Sequence, residues 1–240
     1  MAFSLRRAVR DGFRRAGWHV ERIRDSFNDQ KLLLGYDAKV IFDGGAYNGD
    51  TAVKYRKLFP AAEIYCFEPS PNLFKELQAT GAKLGKVHAV PLALMDKPGQ
   101  FNLFEYDLSG YNSMGRCALP FVKVTNECHV SSSTIDDFCT ENKVEHVDIL
   151  KLDIQGSELK ALQGAERMLK ERRISLIFTE VLFDPEYDQQ AYYHEIASFL
   201  GKFDYRLFRL YDLGHTTEQA LSWGDAIFCT EVIYRSGRLT

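Results

Sequence analysis

The sequence predicts an α/β fold built on one doubly wound, mainly parallel sheet of about seven strands. Three observations predict it. From residue 39 onward, short apolar runs alternate with stretches of helical spacing. The runs KVIFDGG, EIYCFEP, HVDILKLDI and RISLIFTEVLF are apolar nearly throughout, as strands covered on both faces must be. The last two runs, FDYRLFRLYD and AIFCTEVIY, lie close enough in the chain to pair antiparallel, so the final strand is expected to be reversed.

The elements follow in order. Residues 1–35 form a compositional zone of their own, an N-terminal helical extension before a domain spanning 36–240. Seven arginines (Arg6, Arg7, Arg10, Arg14, Arg15, Arg22, Arg24) are interleaved with Val9, Phe13, Ala16, Val20, Ile23 and Phe27. Apolar residues every three or four positions make this an amphipathic helix. Its stripe would pack on the domain or on a second copy of the chain, giving a homodimer; contact with an anionic membrane surface is the alternative. KVIFDGG is a buried strand ending in a glycine turn, and DTAVKYRKLF a helix. EIYCFEP is a strand stopped by Pro69. SPNLFKELQATG is a helix with Ser70 as N-cap, Pro71 at its first position and Gly81 just past its end. KVHAVPLAL is strand-like. FNLFEYD and the stretch 121–130 are extra strands or an ordered insertion. STIDDFCTEN is a short helix, HVDILKLDI a strand, SELKALQGAERMLKERR one helix, RISLIFTEVLF a strand and QQAYYHEIASFLGKF a helix. The two closing strands complete the pattern.

Composition narrows the function classes. With 240 residues there is room for one sizeable core, and 45% hydrophobic with 26% charged residues is ordinary for a globular chain. A net charge of −3 offers no field for nucleic acid. No apolar run approaches the ~20 residues of a membrane span, and the charged start lacks a signal-peptide core. Cys66, Cys117, Cys128, Cys139 and Cys229 are scattered without a CxxC pair, which fits reduced thiols, a cytoplasmic setting and no zinc site.

In a doubly wound sheet, ligands bind beyond the carboxyl ends of the strands. The first strand ends in Asp43, Gly44, Gly45, Ala46, Tyr47, Asn48, Gly49 and Asp50, where glycines allow close backbone approach. The second ends in Glu68-Pro69, a place from which a carboxylate accepts both hydroxyl protons of a ribose. The third is followed by Asp96, within reach of an adenine amine. The fourth ends in Asp153-Ile154-Gln155-Gly156 and the fifth in Glu180. Taken singly, each acid is as well read as a helix cap. Gly44, Ala46 and Gly49 also fit the loose G-x-A-x-x-G dinucleotide pattern, so an NAD-binding oxidoreductase is a rival. The acidic cluster favours a ligand carrying a sulfonium and an ammonium over a diphosphate, and no Tyr-x-x-x-Lys pair is present.

These motifs in series resemble the FkbM family of methyltransferases. The resemblance rests on Asp43-Gly-Gly-Ala-Tyr-Asn-Gly-Asp-Thr51, Phe67-Glu-Pro-Ser-Pro71, Ala93-Leu-Met-Asp96, Ser133-Thr-Ile-Asp-Asp137, the run from Val147 to Glu158 and Leu162-Gln-Gly-Ala165. It covers about residues 40–185. It implies a Rossmann-like class I methyltransferase fold, S-adenosylmethionine as cofactor, and methylation of a hydroxyl on a sugar, glycan, glycolipid or secondary metabolite. The cofactor would lie on Asp43, Gly44, Gly45, Asn48, Gly49, Glu68, Pro69, Asp96 and Asp153. One departure stands out: the family's fourth-strand motif commonly reads Asp-Val-Glu-Gly, and Gln155 replaces its glutamate.

Methyl transfer to a hydroxyl needs the acceptor positioned, water excluded and a proton removed. Asp153 is the first candidate base, Glu180 the second, and His194 or His215 could enter from the acceptor side, although each histidine also reads as an ordinary surface residue. Asp153 with Glu180 could instead orient a diol through a divalent metal, but two carboxylates do not make a metal site. The tyrosines from Tyr106 to Tyr111 and from Tyr187 to Tyr193 are either sugar-stacking platforms or ordinary core and surface residues, and Trp223-Gly224-Asp225 could border the acceptor. A non-catalytic cofactor-binding interaction protein is the remaining alternative; intact Asp43, Glu68, Asp96 and Asp153 speak for the enzyme.

Overall fold

The computed structural model describes residues 12–17, 24–188 and 190–236. Its main sheet has seven strands in the order β3-β2-β1-β7-β8-β10-β9. These are β1 (Val40–Gly44), β2 (Glu63–Phe67), β3 (Val87–Val90), β7 (Val147–Leu152), β8 (Ile174–Leu182), β9 (Tyr205–Tyr211) and β10 (Trp223–Thr230). All neighbours from β3 to β8 run parallel, and β10 runs antiparallel to both β8 and β9. The reversed final strand is therefore present, inserted between β8 and β9.

Successive residues of each central strand serve opposite faces. Phe42, Leu150, Leu152, Ile174 and Ile177 point into one core; Ile41, Ile149, Leu176 and Phe178 point into the other. The helices α1 (Ser26–Leu34), α2 (Asp50–Leu58) and α3 (Pro71–Leu84) cover the second face with Leu33, Leu34, Tyr55 and Leu77. The helices α4 (Ile135–Glu141), α5 (Glu158–Gln163), α6 (Glu166–Lys170) and α7 (Tyr193–Gly201) cover the first with Phe138, Leu162, Met168 and Phe199. The chain steps outward from β1 to β3 and then returns to lay β7 beside β1, so the topological switch, where a crevice opens, lies between those two strands.

Several boundaries differ from expectation, each for a physical reason. The run 86–94 is two strands, because Pro91 interrupts it: β4 (Ala93–Leu94) leaves the main sheet and joins β5 (Gly99–Tyr106) and β6 (Val124–Ser133) in a second sheet ordered β4-β6-β5. The anticipated insertion is this sheet. Helix α3 continues through buried Gly81, which packs on Val87, and stops at Gly85 with φ 63°. The helix expected over 157–173 breaks in two at Gly164, where a Cβ would sit 2.1 Å from the Met95 carbonyl oxygen. The closing strand ends at Thr230, and Glu231–Arg235 is a short helix, α8. In the N-terminal zone, residues 12–15 are helical, Gly17 turns at φ 81°, and α1 starts separately at Ser26, capped by Asp25. Phe13 is exposed, while Phe27 packs on Tyr55 and Phe178. Val9, Val20 and Ile23 of the expected stripe lie outside the described residues. Among the described residues no helix is long and apolar enough to cross a membrane.

Candidate active site

Beyond the carboxyl ends of β1, β2 and β7 lies a cavity of about 280 Å³. Gly45, Ala46, Tyr47 and Asn48 form its floor, Glu68 and Pro69 one side, and Asp153 and Gln155 the far end. Leu94, Met95, Leu103 and Met114 make its other end apolar, and residues 109–114 of the β5–β6 insertion roof it.

The floor is tight because β1 and β7 converge. Gly45 has φ 70°, and a Cβ there would fall 1.8 Å from the Asp153 carbonyl oxygen, so no side chain fits. Tyr47 follows in the left-handed region as well, at φ 52°. Its backbone N–H donates to Glu68 Oε2 at 3.0 Å, its hydroxyl pairs with Ser109 Oγ at 2.7 Å, and it thereby ties floor, side wall and roof together. The other Glu68 oxygen accepts the Ser70 N–H at 2.8 Å. Glu68 is buried, and burial pushes its carboxyl up to about 7 despite those two backbone donors. Ser70 does not cap α3 with its side chain; its hydroxyl donates to the buried Glu105 at 2.5 Å, fastening the second sheet to the first cavity's side.

A second cavity of about 180 Å³ adjoins the first across a wall of Thr51, Lys151 and Asp153. Its remaining lining includes Phe27, Lys54, Phe178, Glu180, Asp212 and Asp225. Lys151, next to last in the buried β7, sets the electrostatics. Its ammonium lies 3.1 Å from Asp43 Oδ1 and 3.4 Å from Asp153 Oδ2, and donates to the Gly45 carbonyl at 3.1 Å. Burial opposes its charge, but the two carboxylates outweigh burial and hold it protonated. Glu180 stands directly across from Asp225 in the β8–β10 register. Burial, with Asp153 and other acids nearby, raises Glu180 well above the carboxylate range; burial and Asp153 lift Asp225 to about 7.

The structure thus brings Gly45, Asn48, Glu68, Pro69 and Asp153 into the first cavity and Asp153 with Glu180 into the second. Asp43, Gly44, Gly49 and Asp96 line neither. Asp43 is sealed beneath the floor against Lys151, and Gly49 sits against Thr80 at the start of α2. Asp96 is exposed, since Met95 before it is the residue that turns inward. His194 is also a correction: α7 buries Ile196, Phe199 and Leu200, which leaves His194 outward, stacked on Tyr192. His215 is exposed in a bridge to Leu221. Tyr106 and Tyr187 are buried, their hydroxyls engaged with the Cys117 N–H and with Gln155. Asp225 borders the second cavity, whereas Trp223 packs near Gly214. Sequence reading missed Lys151, Thr51, Tyr47 and the roof residues Asn112, Ser113 and Met114. A lysine between Leu150 and Leu152 of a buried strand was the available signal for the first of these.

Comparison with known proteins identifies the family. The methyltransferase FkbM domain matches residues 43–207. The 2-O-methyltransferase NoeI of Sinorhizobium fredii is 27% identical over 184 residues, covering 72% of this chain and 75% of its own. Methyltransferase 1 of Beauveria bassiana is 27% identical over 149 residues, covering 54% and 59%. An rRNA methylase structure from Streptococcus thermophilus superposes with a TM-score of 0.49 at 8% identity, over 88% of this chain and 99% of that one. The chain belongs to the FkbM methyltransferase family. It is a methyltransferase with S-adenosylmethionine as cofactor, and the dinucleotide reading falls away.

Proposed function

We propose that the protein transfers a methyl group to a hydroxyl of a sugar or glycan-like acceptor. The observation that carries this reading is the pair of cavities meeting at Asp153, one suited to the cofactor and one, lined by carboxyls, to a hydroxylated acceptor. The likeness to a 2-O-methyltransferase supports it.

The first cavity fits the cofactor by its chemistry. Its apolar end of Leu94, Met95, Leu103 and Met114 suits a purine, Glu68 at the side suits a ribose diol, and Asp153 at the far end suits cationic groups. S-adenosylmethionine supplies an electrophilic methyl whose departure leaves a neutral thioether. The chain's own residues must then bind, orient and deprotonate the acceptor. Asp153 faces both cavities and is in place to accept the hydroxyl proton, and Lys151 holds its second oxygen from behind. Glu180 and Asp225 line the acceptor side, where neutral carboxyls donate hydrogen bonds to hydroxyl oxygens. Phe27 and Phe178 offer apolar ring surface to a sugar face.

The test is methyl transfer from isotope-labelled S-adenosylmethionine into a panel of sugars, glycolipids, hydroxylated metabolites and peptides, with mass spectrometry of the products. Label in an O-methyl product is the expected result. Transfer to amines or thiols alone, or to none of the panel by chain shown to bind the cofactor, would overturn the reading.

A further inference from the structure

Gln155 occupies the turn between β7 and α5 at φ 54°, followed by Gly156 at φ 92°. Two left-handed residues in succession make a turn that a non-glycine side chain enters only at a cost. The turn is held from below by Glu158, which accepts the Ile154 N–H at 2.9 Å and the Gly156 N–H at 3.3 Å. It places the Gln155 amide between two carboxyls that are 27 residues apart in the chain. Nε2 donates to Asp153 Oδ1 at 2.8 Å and to Glu180 Oε2 at 3.3 Å. On the other side, Oε1 accepts from the hydroxyl of buried Tyr187. The Asp153 and Glu180 oxygens accept from the nitrogen end, which leaves the amide oxygen to accept the tyrosine hydroxyl. Tyr187 is itself fixed, because its backbone N–H and that of Glu186 both donate to Gln190 Oε1 at 2.7 Å.

We propose that Gln155, aimed by Tyr187, is a positioning residue for methyl transfer: it clamps Asp153 to Glu180 through one amide and holds the Asp153 carboxyl at the wall shared by the two cavities. The proposal rests on the reading of Asp153 as the group that takes the acceptor's proton. In that step the acceptor O–H bond and the cofactor's S–CH₃ bond would break as the O–CH₃ bond forms, the thioether leaving neutral and the proton landing on the clamped carboxyl. It leaves through Asp153, whose side chain is 42% exposed.

The surroundings make such a clamp necessary. Asp153 meets the Lys151 ammonium from β7, with Asp43 of β1 behind it. Glu180 faces Asp225 across β10, Glu158 from α5 and Glu186 from the loop before α7. Lys54 of α2 and Asp212 after β9 close the second cavity opposite. Acids outnumber bases around Glu180, and the Gln155 amide is a side-chain donor that it shares with Asp153. An apolar residue at 155 leaves the pair without its shared donor; a glutamate adds a third acid to it.

The full-length chain, labelled with ¹³C at Asp and Glu carboxyls, is titrated by NMR, with Glu180→Gln and Asp153→Asn assigning the pair. In the natural chain Glu180 is expected to titrate well above the usual carboxylate range. In Gln155→Leu the Glu180 titration should rise further, by about one pH unit, the equivalent of losing one hydrogen bond to the charged form. The acid limb of kcat/KM should rise with it. Tyr187→Phe, which removes only the aim, should shift both in the same direction by less, and covers the case in which Gln155→Leu does not fold. Gln155→Glu should add a titrating carboxyl and also raise Glu180. Unmoved carboxyl titrations in folded Gln155→Leu or Tyr187→Phe overturn the clamp, whether turnover falls or not. A failed acceptor panel overturns hydroxyl methylation alone, since the carboxyl titration needs neither cofactor nor acceptor.

Discussion

Strand β7 carries an aspartate near each end, and the two live under opposite rules. Asp148, near the start, is buried: Oδ2 accepts the Lys39 N–H at 2.7 Å and the Val40 N–H at 2.9 Å, and Oδ1 accepts the Tyr36 hydroxyl at 2.9 Å. Asp153, one residue past the strand's other end, is half exposed and lines two cavities. Its side-chain partners are Lys151 and Gln155. The difference is one of what holds the charge. Backbone amides are fixed by the fold, so a carboxylate they satisfy belongs to the scaffold. Side chains around a cavity leave lone pairs free for a ligand, so a carboxylate they steer is available for chemistry. Burial and the nature of the partners, rather than residue type or motif, separate the two.

The contrast breaks most sharply at Asp153. Asp153→Asn keeps size and hydrogen bonding but takes up no proton, so turnover is expected to fall by about 10²–10⁴-fold. Cofactor affinity, measured by calorimetry, should stay within a few-fold. Turnover near that of the natural chain would reduce Asp153 to a helix-entry residue and dissolve the comparison. Asp148→Ala is the mirror experiment. It strands buried donors and should cost about 2–4 kcal/mol of stability, lowering the melting temperature by roughly 5–10 °C. Turnover per folded molecule should not change; a loss exceeding the unfolded fraction would place Asp148 in the chemistry.

Glu68 combines the two rules and gives the smallest and most diagnostic effect. It accepts two backbone N–H groups, yet it borders the cavity and burial lifts it from 4.5 to about 7. A folded-state value above the unfolded one means the folded chain binds this proton more tightly. Its stabilising contribution is complete below about 4.5 and is lost as pH rises through about 7. Cofactor binding should run the other way, because the ionised form is the better acceptor for ribose hydroxyls. Calorimetry at pH 6 and pH 8 should show tighter binding at the higher pH by severalfold, with Glu68→Gln flattening the dependence. A flat profile in the natural chain would move Glu68 to the scaffold side.

Most of the sheet was legible because buried parallel strands announce themselves as apolar runs, and their ends place Gly45, Glu68, Asp153 and Glu180 without further information. What was not legible depends on contacts across the chain. Gly164 looks like an ordinary helix residue until the Met95 carbonyl is found against it. Pro91 ends a strand, but nothing local says that Ala93–Leu94 then joins a second sheet. Spacing in α7 shows where His194 points only once Ile196 and Leu200 are known to face the core. The roof over the first cavity comes from an insertion whose own sequence carries no motif for it, and the Tyr187–Gln155 contact joins residues 32 apart. Asp43 was read as a ligand contact because it ends a strand; the structure spends it on Lys151 instead.

Thr51, Lys151 and Asp153 belong to the walls of both cavities. A partition held in common cannot be adjusted on one side alone. Whatever factor an occupant of the first cavity applies to affinity in the second, the second must return to the first, because the free energy of the doubly occupied state does not depend on the order of arrival. Cooperativity between occupants of the two cavities, measured in one direction, is thereby known in the other.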